Sequence, residues 1–181
     1  MKRFQTLALG AAGAFAAAAI APAAWAQASA TQPTTSTATI FQPIQLAKNT
    51  DLSFGTVVRP ITGSGTVSIS ATDGQRTPSG GVALLNSGPN APAARATYTV
   101  TGEGGQTFNV NIPANFSMSR TGGSETIVVT LNMSVTNPQT LSGSLGSTGT
   151  LQFGVGGSIP VASNTQSGAY SGTFNVVVAY N

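Results

Sequence analysis

Downstream of residue 39 the chain alternates between apolar and polar positions, and the alternation predicts strands. Ile40, Ile44 and Leu46 share one parity, with Phe41, Pro43 and Gln45 on the other. Pro43 marks that stretch as an edge or a bulge, because proline has no N–H to give a ladder. Asn49-Thr50-Asp51 turns the chain into a short strand at Leu52 and Phe54, and a Gly/Ser turn at 61–65 leads to Val67 and Ile69. Asp73-Gly74 is a tight-turn pair. Residues 77–94 are rich in Pro, Gly, Ser and Asn, with Val82 and Leu84 as the one strand fragment. Ala96-Tyr98-Val100 and Phe108-Val110-Ile112 flank Gly102–Gly105 and predict a hairpin. Ile127 to Val135 is the longest alternating run, followed by Leu151-Phe153-Val155 and, past two glycines, Ile159. In the final stretch Phe174, Val176, Val178 and Tyr180 fall on every second position, which puts all four on one face of a strand.

No segment in this region carries apolar residues at helical spacing over three turns. Short strands with turn signals between them predict an all-β domain over 40–181. Very unequal loops favour a Greek-key sandwich over an up-and-down barrel. A last strand this apolar needs a cover, and the sequence ends at its edge, so the expectation is that a neighbour supplies it.

The first 39 residues read differently. Lys2 and Arg3, an apolar run from Leu7 to Ala21, and Ala24-Trp25-Ala26 make a secretory signal over 1–26. The run is Ala/Gly-rich and short for a span of about 20 strongly apolar residues. Residues 27–39 (QASATQPTTSTAT) form a Thr/Ser/Ala-rich leader without a large apolar side chain. The protein is therefore expected to cross the inner membrane to the periplasm, and then to reach the cell surface or medium. Without the signal, five cations face four acids, a net charge of +1 in no cluster of either sign. Nucleic-acid binding needs a basic patch, and none exists.

Chemistry is sparse. The chain has no His and no Cys, which removes Ser–His and Cys–His nucleophiles, common zinc and copper sites, and disulfides. Asp51 and Asp73 sit in turn contexts, and Glu103 and Glu125 beside Gly or Ser, so all four acids read as turn or surface residues. A calcium site on Asp51 or Asp73 would lack an Asp-rich loop. The glycine clusters precede strands rather than helices, so they are not phosphate loops. No catalytic residue, cofactor, metal or small-molecule substrate is predicted, and the protein is expected not to be an enzyme.

Leu52-Ser53-Phe54-Gly55, Phe108-Asn109-Val110-Asn111-Ile112 and the C-terminal run Gly168 to Asn181 resemble a proteobacterial secreted domain-of-unknown-function family. That family in turn resembles the spore-coat-U-like, archaic chaperone–usher pilins. The resemblance implies an immunoglobulin-like Greek-key sandwich lacking its final strand. It implies a groove edged by Phe174, Val176, Val178 and Tyr180, and a donor segment that includes Ala28, Ala30, Ala38 and Ile40. It further implies polymerisation into a surface fibre by strand addition, with other copies or related subunits as partners and a periplasmic chaperone and outer-membrane usher as handlers. The leader offers mostly small side chains, and the cysteines of many archaic pilins are missing. A monomeric ligand- or carbohydrate-binding module is the alternative, and a small outer-membrane barrel a third, though these strands fall short of the ~10 residues such barrels use.

Overall fold

The computed structural model describes residues 29–88 and 92–181. The signal at 1–26 and Ala28 lie outside the described residues. Residues 1–38 and Thr39–Asn181 are separate units. Ser29–Ala38 carry no strand and every one is exposed, in keeping with side chains too small and polar to bury.

Thr39–Asn181 is all-β, built from antiparallel sheets, with no helix among the described residues. In the large sheet β1 (Gln45–Thr50), β6 (Ala96–Glu103), β11 (Thr148–Ala162), β9 (Thr126–Met133), β8 (Asn115–Arg120) and β12 (Tyr170–Ser171) stand in that order. β3 (Ser64–Ile69) also pairs with β11 and carries β4 (Arg76–Pro78) on its far edge. A smaller sheet has the order β10 (Gln139–Thr140), β7 (Thr107–Asn111), β13 (Val177–Tyr180). β2 (Thr56–Val58) and β5 (Ala83–Leu85) form a ribbon of their own. Phe108 and Val110 of the small sheet share one buried core with Val100, Val129 and Phe153 of the large one, which makes the fold a sandwich. Tyr98 stacks on Phe153 at 5.3 Å between ring centres inside it.

Two expectations from the sequence are corrected by the pairing. β6 and β7 do not form a hairpin: β6 pairs with β1 and β11, and β7 with β10 and β13. Both edges of β6 are occupied, so Gly104-Gly105 carries the chain across to the other sheet. The glycines at 154, 156 and 157 do not interrupt a strand either. They lie within β11 where its partner changes from β6, which ends opposite Val155, to β3, which begins opposite Gly157. A Cβ on Gly154 would fall less than 3.0 Å from the Ala71 carbonyl oxygen, and one on Gly156 equally close to that of Ile69. Backbone approaches that close admit no side chain.

The N-terminal alternation becomes a strand only from Gln45; Ile40 is 88% exposed and Phe41 44%. At the other end the strand covers Val177–Tyr180, with 172–176 irregular. Arg76 ties the ribbon to its neighbour, its guanidinium donating to the carbonyls of Phe54, Thr56 and Leu85 at 2.9, 3.2 and 2.8 Å.

Candidate functional site

The periodicity of the last stretch decides which side chains the fold covers. Phe174, Val176, Val178 and Tyr180 are half-buried against the core, while Thr173, Asn175, Val177 and Ala179 are exposed. The groove-edge residues therefore share one face, although only the last two belong to strand β13. Of the donor residues, Ala30, Ala38 and Ile40 are exposed and outside any strand.

β13 pairs with β7 along one edge, from Val177 opposite Asn111 to Tyr180 opposite Phe108. No strand occupies its other edge among the described residues. The Asn181 N–H donates to the Thr107 carbonyl, and Val110 turns its own N–H and C=O away from β13 to the side chain of Asn137, at 2.9 and 2.7 Å. In an antiparallel ladder bonded and non-bonded pairs alternate. The N–H and C=O of Val178 and Tyr180 consequently point to the unoccupied edge. The outer edge of β7, by contrast, is closed by β10 and by the Asn137 amide, which substitutes for a strand.

The chain leading into β13 borders a cleft of about 610 Å³ between residues 48–59 and 165–174. Leu52, Phe54, Phe116, Met118, Ile127 and Phe174 give it an apolar lining. Most of these are only half-buried, so the inner face of the large sheet is incompletely covered there. Phe116 and Phe174 meet with ring centres 5.1 Å apart. Lys48 pairs with Asp51 at the rim, and that hydrogen bond raises the lysine above its usual range; burial does the same to the Tyr98 phenol.

At the far end a polar knot joins the lead-in to β1, the end of β6 and the end of β13. The Gln42 N–H donates to Glu103 Oε2 at 3.1 Å, and the Gly146 N–H donates to Oε1. The Glu103 N–H donates to the Tyr180 hydroxyl at 2.6 Å, and that hydroxyl donates to the Gln42 carbonyl at 2.9 Å. The Thr148 hydroxyl donates to Gln42 Oε1 at 3.0 Å, and the Phe41 ring meets Tyr180 edge-on at 6.1 Å. Gly102 makes room for this, since a Cβ there would fall less than 3.0 Å from the Tyr180 oxygen. Glu103 is 2% exposed, which corrects its reading as a surface acid, while its carbonyl does open the turn that the Gln106 N–H closes. The two N–H donors, Gly146 first and Gln42 next, hold its carboxyl below the ordinary range against the opposing effect of burial. Gln42, Glu103 and Gly102 are the site residues that sequence reasoning missed. A lone acid between glycines carries no signal of a partner sixty residues away.

Fold and site together define an all-β sandwich domain in which, among the described residues, the apolar strand β13 is paired on one edge only. The chain belongs to a sequence family described as a domain of unknown function, DUF4402, which matches residues 44–180. No curated protein and no solved structure matches it.

Proposed function

We propose that the protein is an exported structural subunit of a cell-surface fibre or fimbria-like assembly, and that it polymerises by accepting a β-strand from a neighbour. The observation that carries this reading is the unoccupied edge of β13 beside an apolar cleft of about 610 Å³. A strand laid along Val178 and Tyr180 gains main-chain hydrogen bonds, the mode of strand addition to an exposed edge. Continued past Phe174, it enters the cleft and covers half-buried apolar side chains, at about 0.8 kcal/mol for each CH₂ newly taken from water. The immunoglobulin-like Greek-key topology and the resemblance to archaic pilins belong to the same reading. So do export by the signal at 1–26 and handling by a periplasmic chaperone and outer-membrane usher. The donor is the leader of another copy, exposed from Ser29 through Phe41.

The test is an SDS gel of unheated, surface-extracted protein, comparing the full mature chain with one lacking residues 27–39. The deletion stops at Thr39 because Gln42 belongs to the knot and β1 begins at Gln45. High-molecular-weight ladders are expected from the full chain and monomer alone from the deletion. Ladders that survive the deletion rule out donation by the leader. A full chain that is monodisperse without any chaperone returns the function to a monomeric binding module.

A further inference from the structure

The outer face of the large sheet, on the side away from the core, carries a second cleft. Ladder partners share a face, and the register sets Thr77, Ser68, Ser158, Thr130 and Asn115 in one row across β4, β3, β11, β9 and β8. At about 4.8 Å between strands the row runs roughly 19 Å. All five side chains are short, uncharged hydrogen-bonding groups. Arg76 and Arg120 are the charged residues of these five strands, and both have the other parity. Arg76 stands opposite the buried Ile69, and Arg120 is in step with Phe116 and Met118.

Beside the row the chain leaves β3 and rises over the sheet. Gly154 and Gly156 make this possible. A Cβ on Gly154 would strike the Ala71 carbonyl, and one on Gly156 the Ile69 carbonyl and the Ala71 N–H. The turn from Ser70 to Gln75 therefore rests on the bare backbone of β11 and walls a cleft of about 330 Å³. That volume lies at the small end of the range for ligand sites, ~300–1,000 Å³. Ser70, Asp73 and Gln75 line it from the turn, and Ser158, Thr130 and Asn132 from the sheet. The turn is fixed from within: the N–H groups of Thr72 and Asp73 donate to the Ser70 hydroxyl at 3.3 and 3.4 Å, and that of Gln75 to Asp73 Oδ1 at 3.0 Å. The Ser70 hydroxyl, and then the Gln75 N–H, hold the Asp73 carboxyl below its ordinary range, so it is an ionised acceptor at neutral pH.

The lining selects its ligand by chemistry. Hydroxyls and side-chain amides both donate and accept, and a carboxylate only accepts. No cation lines the cleft, so an acidic ligand would meet the Asp73 charge with nothing to balance it. A ligand dense in hydroxyls offers a donor and an acceptor at every group and brings no charge. We propose that this cleft binds a neutral glycan, held between Asn132 and Ser158 on the sheet and Asp73 and Gln75 on the turn. The proposal does not rest on strand addition. The cleft lies on the opposite face of the large sheet from the core and from the groove beside β13, so filling one leaves the other open.

The test is an array of immobilised oligosaccharides probed with the fluorescently labelled chain from residue 27 on. Neutral gluco-, manno- and galacto-oligosaccharides form one set, oligogalacturonates an anionic set and chitosan oligomers a cationic set. Saturable binding to at least one neutral oligosaccharide is expected, displaced by the same sugar free in solution and little changed by added salt. Asn132→Ala/Ser158→Ala is expected to weaken it about fivefold or more, the scale of one or two neutral hydrogen bonds. Thr99→Ala, on the same face but on β6, is expected to leave it as it was. No binding to any neutral sugar overturns the proposal. So does binding confined to the charged sets, or neutral binding that the double variant leaves intact. Should the double variant lose its melting transition, Gln75→Ala on the exposed turn takes its place and is read the same way. Association between copies that is abolished by Asn132→Arg, with no sugar bound, gives the face to a second copy and overturns the proposal as well.

Discussion

Glu103 is a carboxylate enclosed at the end of a strand, and its two N–H donors define its titration. Its carboxyl is held below the ordinary range, so the folded state releases the proton more readily than the unfolded chain. The stability this provides is complete above the ordinary carboxylate value of about 4.3. It is lost as pH falls below that value and through the lower folded one. Urea midpoints taken from pH 7 to pH 3 are expected to fall in the native protein and to change less in Glu103→Gln, so the two curves converge in acid. Asp73 and Glu125, which also sit low, move both curves together. Parallel curves would remove Glu103 from this role. Tyr180→Phe deletes a hydroxyl that accepts from Glu103 and donates to Gln42. It should cost about 1 kcal/mol, the scale of a net hydrogen bond where water can replace the lost partner, as read from urea unfolding at neutral pH.

At the scale of elements, β11 is the strand on which the large sheet is assembled, with β6, β3 and β9 all paired to it. Gly156→Ala places a Cβ against the Ile69 carbonyl and the Ala71 N–H, both backbone groups that move only with β3. A loss of about 1–3 kcal/mol is expected, as for overpacking elsewhere, and a variant of native stability would show that β3 yields freely. Val178→Pro removes an N–H that faces the unoccupied edge and leaves the β7 ladder intact. Ladders on unheated gels should disappear while the subunit retains its melting transition. Strand identity was legible because period-two alternation is local: Ala96 to Val100, Phe108 to Val110, and Ile127 to Leu131 fall in strands, although Ile112 and Val135 of the same runs lie past the strand ends. Pairing was not legible. Whether Gly102–Gly105 closes a hairpin or crosses between sheets depends on β1 and β11 having filled both edges of β6, and they lie some fifty residues away on either side. The inward face of Phe174 to Tyr180 could be read from parity, whereas the knot could not. Its members Gln42, Glu103 and Tyr180 are brought together by folding and by no spacing in the chain.

Across the whole molecule, neutral hydrogen-bonding groups replace charge: five cations and four acids serve everything after residue 26. Three of those cations serve as backbone ties: Arg59 donating to the Thr165 carbonyl at 2.7 Å, Arg76 on the ribbon, and Arg95 donating to the Ala71 carbonyl at 2.8 Å. Association that rests on main-chain bonds and covered apolar surface should therefore respond little to salt. The small sheet adds a constraint of its own. On the side away from β13, Asn137 saturates Val110, Pro138 lacks an N–H, and β10 is two residues long. That flank offers no template for a further chain. On the strand-addition reading, the small sheet can thus be extended on its β13 flank alone, so growth through that sheet would run as an unbranched thread with a fixed direction.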